Sequence, residues 1–265
     1  MRLYWEIGKR AFQRQLAYRT ANLAGLVTNI FFGYVRAAVL LAAFEGSGAA
    51  AVAGYDAAGI VTFTWVTQAF LMVINLWGGM GVSETIQTGA VVSDLSKPFS
   101  YLGYWLARTL GQSAFFFLFR CVPIVFVGHL MFGLRWPQLP ETWLALVVSG
   151  LLAILVSFSW NFLIELTGFW VVKTAGVRQF ALGIVIFFSG FAIPIPLFPE
   201  WLQAIAHALP FAAITQIPVD LFLERHTGLD VIAALATQLF WAGLMLCAAQ
   251  AMVSLATRHV VTQGG

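Results

Sequence analysis

Residues 82–101 read VSETIQTGAVVSDLSKPFSY, one compact polar stretch in an otherwise apolar part of the chain. Two carboxylates, one lysine and several hydroxyl side chains lie here between long apolar segments. Residues 82–92 favour a short helix with Ser83 as its N-cap. Pro98 ends the polar stretch, because a proline disfavours helical conformation at the residue before it. The sequence therefore predicts a short helical loop that connects two membrane helices.

The composition on either side of this stretch is that of a membrane protein. Of the 265 residues, 60% are hydrophobic and only 9% are charged, and the mean hydropathy is +0.86. Soluble domains carry about 25% charged residues, so this chain has too few charges to cover a water-exposed surface. We predict an all-α integral membrane protein that forms a single domain over 1–265.

Six apolar segments are long enough to cross a bilayer, which takes about 20 residues each. They are 20–44, 57–80, 102–133, 143–171, 179–197 and 229–256. Ten of the 14 lysines and arginines lie before span 1, near the 2–3 and 4–5 connections, or after span 6. Because basic residues accumulate in cytoplasmic connections, both termini and the polar stretch are predicted to be cytoplasmic.

The N-terminal residues 1–18, MRLYWEIGKRAFQRQLAY, form a second polar feature. At about 100° per residue, the charged side chains fall on one face of a helix, and Tyr4, Trp5 and Phe12 fall on the other. Basic residues opposite aromatic ones are typical of a helix that lies in the membrane interface. The alternative is a basic flank that only sets the topology.

Patterns that would carry chemistry are missing from the sequence. It has no GxxxxGK[ST] phosphate-binding loop and no GxSxG nucleophile motif. None of its four histidines has a second histidine or cysteine at ligand spacing, which predicts no metal site. Cys121 and Cys247 lie within apolar segments, where a cysteine packs as a small apolar residue. We therefore predict no catalytic residue and no cofactor bound by this chain.

Three charged side chains fall well inside the predicted spans, away from their first residues: Arg36, Arg120 and Glu165. Glu165 lies near the level of Arg108, which favours an ion pair that fixes helix packing. Snorkelling to lipid headgroups and a transport role are the alternatives. Arg120 lies deeper and is expected to face a polar cavity or partner, because a lone charge near the bilayer centre costs several kcal/mol. Its role is open between structure and substrate contact.

The order of these parts matches a known family. The polar stretch contains IQTG at 86–89 and LSKP at 95–98, and the segment before span 6 contains FPEWL at 198–202 and LPF at 209–211. Together with the basic N-terminal helix and the six spans, these motifs carry a resemblance over essentially the whole chain. The chain resembles a permease subunit of the ABC-2 (type-2 ABC) export family.

The resemblance implies that residues 82–100 form the coupling helix, which sits in a groove of a separate ATPase subunit. ATP and Mg would be bound by that partner, and its closure would push on the spans through this helix. By match to the family, the ATPase-coupling residues would be Glu84, Ile86, Gln87, Gly89 and Lys97. The alternative is a plain connector.

The resemblance also implies a dimer of permeases, identical or paralogous, with the translocation pathway along their interface. Spans 2 and 5 would line the pathway, and residues 194–228 would form two short external re-entrant helices that act as a gate. The pathway and gate candidates are Phe63, Gln68, Asn75, Phe187, Phe188, Trp201 and Phe211. Trp201 and Phe211 would also be interfacial anchors, and packing is the alternative for the residues within the spans.

The resemblance implies an ATP-driven exporter permease in the bacterial cytoplasmic membrane, which moves an amphipathic, lipid-like, glycan or drug-like substrate outward. Its partners would be ABC ATPase subunits, a second permease and membrane lipids, with no nucleic acid. One alternative is an ATP-independent secondary carrier or channel, which requires several buried titratable groups. The other is a non-transport membrane protein, which requires a polar catalytic cluster at one membrane interface.

Overall fold

The computed structural model describes residues 2–46, 48, 51–77, 79–171 and 173–263. Over these residues the regular structure is helical, without a β-strand. The helices are α1 (Arg2–Ala17), α2 (Arg19–Gly46), α3 (Ala57–Phe70), α4 (Val82–Gln87), α5 (Val91–Leu95), α6 (Tyr101–Phe116), α7 (Val122–Phe132), α8 (Pro140–Leu166), α9 (Ala175–Phe188), α10 (Glu200–His207), α11 (Gln216–Phe222) and α12 (Leu229–Gln263). A π-helical turn, Phe117–Cys121, joins α6 to α7 without a break.

In the described part of the chain, four continuous helical stretches are long and apolar enough to cross a membrane. They are Arg19–Gly46, Tyr101–Phe132, Pro140–Phe169 and Leu229–Thr257. They coincide with predicted spans 1, 3, 4 and 6. The helices in predicted spans 2 and 5, α3 and α9, have 14 residues each. Each is about 21 Å long, less than the roughly 30 Å hydrocarbon core, so a count of six crossings stays a prediction.

Span 2 was predicted over 57–80, but α3 ends at Phe70 and residues 71–77 are unwound. The physical reason is that side chains of α6 and α8 replace the helical hydrogen bonds. They donate to three carbonyls of the unwound residues, and the pairs are Ser113 with Val73, Ser157 with Ile74 and Asn161 with Asn75. Non-helical backbone survives at membrane depth only where protein satisfies it in this way.

Span 5 was predicted to reach residue 197, but α9 ends at Phe188. Gly190 follows with φ +81°, a left-handed conformation that ends the helix and is accessible to glycine at no steric cost. The carbonyl of Ser189 accepts from the amide of Gln216, 3.0 Å away, and so ties this end to α11. The two short helices predicted within 194–228 are present as α10 and α11.

Helix α8 is the centre of the bundle. Half of its membrane-length window is buried, against about a fifth in each of the other three long stretches. It packs along α12 and also contacts α4, α6, α9 and α11. One end of α8 therefore meets the polar segment 82–100, and the other meets the α11 end of the bundle.

Helix α1 lies against α6 rather than standing alone. The hydroxyl of Tyr4 accepts from the amide of Ser100 at 3.1 Å, and Phe12 packs edge-on against Phe115 with ring centroids 5.6 Å apart. Its predicted apolar face is thus covered by protein along Tyr4 and Phe12, whereas Trp5 stays exposed. Placement of α1 in the membrane interface stays a prediction.

Candidate functional site

The polar segment 82–100 consists of two short helices instead of the one helix predicted over 82–92. Helix α4 ends at Gln87, Gly89 adopts φ +75°, and α5 begins at Val91. A methyl group added at Gly89 would meet no atom within 4 Å, so the backbone conformation, not space, favours glycine here. Ser83 is not the N-cap, because the left-handed Gly81 holds that position and lacks a side chain.

The segment has one polar face and one apolar face. Val82 and Val91 are buried, and Ile86 and Leu95 pack partly buried beside them, against a cluster that contains Phe162 of α8. Of the predicted ATPase-coupling residues, Ile86 therefore belongs to the apolar face. The others are exposed: Glu84, Gln87, Gly89 and Lys97.

At the end of the polar face, Lys97 pairs with Asp94 at 2.6 Å. The hydrogen bond from Lys97 to Asp94 raises the pKa of the lysine, which therefore keeps its charge. An exposed surface that carries both signs of charge on a short helical hairpin is suited to docking against another protein, where rim charges set orientation.

The buried carboxylate of Glu165 ties this segment to two membrane helices. Its side chain on α8 is 2% exposed, and its Oε2 accepts from the amide of Ser83 at 2.7 Å. Its Oε1 accepts from Arg178 Nη2 at 2.6 Å, and the same nitrogen donates to Ser83 Oγ at 3.1 Å. One carboxylate thus connects α4, α8 and α9, which we name the Glu165 junction (Ser83, Glu165 and Arg178).

The junction corrects two predictions. Glu165 pairs with Arg178 of α9 and not with Arg108, whose guanidinium lies 4.9 Å from the centre of the Trp105 ring. Glu165 also supplies the acceptor for the first turn of α4, a role that the sequence had suggested for Ser83. A carboxylate at a helix N-terminus satisfies an unpaired amide and is favoured by the helix dipole.

Two arginines lie deeper in the bundle and both have partners. Arg36 of α2 donates to Gln68 Oε1 at 2.9 Å and to the carbonyl of Phe191, and its guanidinium lies over the Phe191 ring. Arg120 is 7% exposed and donates to Asn22 Oδ1 at 3.3 Å. Both cations therefore face protein groups, as expected for Arg120, and they connect α2 to its neighbours.

The predicted pathway and gate residues do not share one surface. Phe63 and Gln68 are buried inside the chain, and Asn75 lies in the unwound 71–77 segment, partly buried. Phe187 is exposed on α9 and stacks on Phe198 of the external segment, with ring centroids 5.0 Å apart.

Phe188 packs partly buried beside Phe187. Trp201 is 66% exposed, as an interfacial anchor requires. Phe211 is only 4% exposed and packs edge-on against Trp160, so it cannot anchor in an interface.

A polar cluster at the α11 end of the bundle was missed by sequence reasoning. Asp220 accepts from Tyr55 Oη at 3.1 Å and from Gln216 Nε2 at 2.8 Å, and Arg225 Nε lies 3.3 Å away. Arg225 also donates to the carbonyls of Ala53 and Gly54. Burial raises the pKa of both Asp220 and Tyr55. The only sequence signal was an acidic and a basic residue five positions apart in an apolar stretch.

Replacing Tyr55 with phenylalanine is expected to lower the free energy of unfolding by about 1–2 kcal/mol, because Asp220 then loses a buried hydrogen-bond donor. Thermal unfolding of the purified protein in detergent measures this as a lower midpoint. Tyr34→Phe, which removes a hydroxyl from an exposed tyrosine, is the matched control. Equal midpoints for both variants would contradict a stabilising role for the cluster.

Among the described residues no group of three histidine, cysteine, aspartate or glutamate side chains is placed to hold a metal ion. Residues 37–264 match the model of a family described as ABC-2 family transporter protein. No curated protein and no solved structure matches the chain.

Proposed function

The chain belongs to the ABC-2 family of transporter proteins, and we propose that it is the permease of an ATP-driven exporter in the bacterial cytoplasmic membrane. Membership makes it a membrane transport component that is not itself catalytic and implies association with ABC ATPase subunits. In our proposal those subunits bind ATP and Mg, and this chain converts their closure into movement of its helices.

The observation that carries the proposal is the Glu165 junction beneath an exposed polar face. Glu84, Gln87 and Gly89 are exposed, while the opposite face of the segment packs on α8. A displacement of α4 acts on Glu165, and through it on α8 and α9, because both hydrogen bonds that Glu165 accepts are short. A plain connector would need neither an amphipathic hairpin nor a buried anchor.

We propose six crossings with both termini in the cytoplasm. In this topology α3 completes its crossing through the unwound residues 71–77, and α9 completes its own through residues 189–197. The distribution of basic residues supports the orientation, which puts the polar segment on the ATPase side. Residues 194–228 then form the external gate over the bundle.

We further propose that two permeases, identical or paralogous, form the pathway for an amphipathic, lipid-like, glycan or drug-like substrate. Support comes from α9, which has an open face toward the outside of the bundle. Phe180 is 74% exposed there, Phe187 is exposed, and a methyl group added at Gly176 or Gly183 would meet nothing within 4 Å. Small residues between large apolar ones allow close helix packing in membranes.

The test is co-purification of an ATPase with the tagged chain from cells that express its neighbouring genes. Reversing the charge in Glu84→Lys is expected to reduce the co-purified ATPase about tenfold, since one misplaced interfacial charge costs about 1.4 kcal/mol or more. Glu200→Lys, an exposed reversal on α10 at the other end of the bundle, is the matched control.

If no ATPase co-purifies with the wild-type chain, the hypothesis of an ATP-driven exporter is wrong. If Glu84→Lys retains as much ATPase as the wild type, the docking face is assigned wrongly, but the hypothesis of an ATP-driven exporter stands. The secondary carrier is disfavoured by the pairing of Glu165, the one acidic side chain well inside a predicted span.

A further inference from the structure

A long apolar groove runs between α7 and α8 on the outside of the bundle. Its volume is about 560 Å³, and α3 forms its floor while α11 closes one end. Val122 and Phe126 on one wall and Val147 and Leu151 on the other are exposed, so the groove opens sideways between the two helices. The walls belong to two of the helical stretches that are long enough to span a membrane.

We propose that this groove binds one acyl chain of a membrane phospholipid. The two walls offer no free polar side chain that could bind a hydrophilic ligand. Ser113 is the one hydroxyl residue among the lining side chains, and its Oγ already donates to the carbonyl of Val73 at 2.6 Å. An apolar cavity stays free of water, and at this depth the solvent that can enter is lipid.

The length of the groove suits an extended apolar chain. From Leu110 to Phe126 the α6–α7 wall advances about 24 Å at 1.5 Å per residue. Apolar side chains line the groove along this length, so one flexible acyl chain can lie in it from end to end.

The π-helical turn and a glycine create the space. Phe117 and Cys121 of the turn line the groove, and Gly150 lies across from them on α8. Interiors pack with few voids larger than a water molecule, so an opening of this size is stable only when filled. A methyl group added at Gly150 would rest 3.7 Å from Phe70, in ordinary contact, which leaves a larger side chain room to extend into the groove.

The α11 end of the groove has the chemistry of a membrane interface. Trp136 and Trp143 line this end and stack with ring centroids 6.2 Å apart. Tryptophan pairs of this kind lie at headgroup level. The preceding residue, Arg135, exposes more than half of its side chain although it pairs with Asp56. A phospholipid whose tail fills the groove thus finds indoles and a cation at the height of its phosphate.

The experiment uses the full chain in phosphatidylethanolamine–phosphatidylglycerol vesicles that contain a phospholipid with a photoreactive diazirine in its acyl chain. After irradiation, peptide mass spectrometry locates the adducts. We expect them on the facing walls near Val122 and Val147. Gly150→Leu and, independently, Ala114→Leu on the opposite wall should reduce them about fivefold or more by filling the space. Gly243→Leu should not, because it lies at an exposed position of α12 away from the groove, where an added methyl group would meet nothing within 4 Å.

Two outcomes would overturn the proposal. Adducts spread evenly over all lipid-facing helices, unchanged in both filling variants, would mean ordinary annular lipid without a site. Loss of self-association in the filling variants with unchanged lipid adducts would mean that the groove receives another protein. The proposal does not depend on the ATP-driven function, since the labelling requires no ATPase.

Discussion

Replacing Glu165 with glutamine is expected to accelerate amide exchange in α4 by about 5- to 150-fold, the range that corresponds to 1–3 kcal/mol. The glutamine keeps one oxygen but turns an NH2 group toward one of the two donors. Either the Ser83 amide or Arg178 Nη2 then lacks its acceptor. A buried donor without a partner costs about 1–3 kcal/mol, and α4 has no side-chain cap to replace the carboxylate.

Hydrogen exchange with mass spectrometry on the purified chain measures this effect without a known substrate. Glu141→Gln is the matched control, because Glu141 is an exposed carboxylate at the other end of the same helix. Within a complex with the ATPase, Glu165→Gln is expected to weaken the response of ATP hydrolysis to the permease. Unchanged exchange in α4 would show that the carboxylate does not hold this helix.

A double variant separates the junction from general damage. Arg178→Gln removes the other charged member of the junction. Since both single changes break the same ion pair, the effect of the double variant should be smaller than the sum of the two single effects. Arg178 is well exposed to solvent along part of its side chain, which reduces its own share of the stabilisation. We therefore expect Glu165→Gln to exceed Arg178→Gln. Strict additivity would mean that the two residues act separately.

The sequence predicted the features that depend on local pattern. The polar segment and the long apolar helices in spans 1, 3, 4 and 6 follow from hydropathy and from proline and glycine positions. The two short helices before span 6 were implied by the family resemblance. The break at Gly89 was within reach of the same reasoning, because a glycine between two short apolar repeats favours a left-handed turn.

Features that depend on contacts between distant residues were out of reach. The unwound residues 71–77 look like helix in sequence, and only serines and an asparagine on α6 and α8 show why they are not. The partner of Glu165 was predicted wrongly, because the depth of a residue along a helix does not tell which way its side chain points around the helix axis. The buried cluster around Asp220 joins residues that are more than 160 positions apart in the chain.

The contact between α1 and α6 depends both on a local sequence pattern and on a partner that is distant in the chain. Disrupting this contact is the second change for which we expect a large effect. Gly103, Ala107 and Gly111 recur every four residues on α6, a small-residue pattern that permits close helix packing in membranes. The pattern is visible in sequence, but its partner is not. In the structure the partner is Gly8 of α1, which meets Ala107 and Gly111 backbone to backbone.

Gly111→Ala is expected to separate α1 from α6. The added methyl group would lie 2.0 Å from the carbonyl oxygen of Gly8, and it would lie 2.8 Å from the Gly8 Cα. Both are backbone atoms, so the whole helix must move. Overpacking of this kind costs about 1–3 kcal/mol, which corresponds to about 5- to 150-fold more opening. Limited trypsin digestion at Arg10 and Arg14 of α1 should accelerate by a similar factor where opening precedes cleavage.

Three alanine variants should then fall in a fixed order that distinguishes close helix packing from a general intolerance of glycine replacement. At Gly8 the added methyl group would lie 3.1 Å from the carbonyl oxygen of Ala107, a tight contact that a small shift relieves. At Gly183 it would meet nothing within 4 Å. Cleavage should therefore be fastest in Gly111→Ala, intermediate in Gly8→Ala and unchanged in Gly183→Ala. Equal rates for Gly111→Ala and Gly183→Ala would mean that α1 is not held through this contact, and that its amphipathic face is bound by lipid instead.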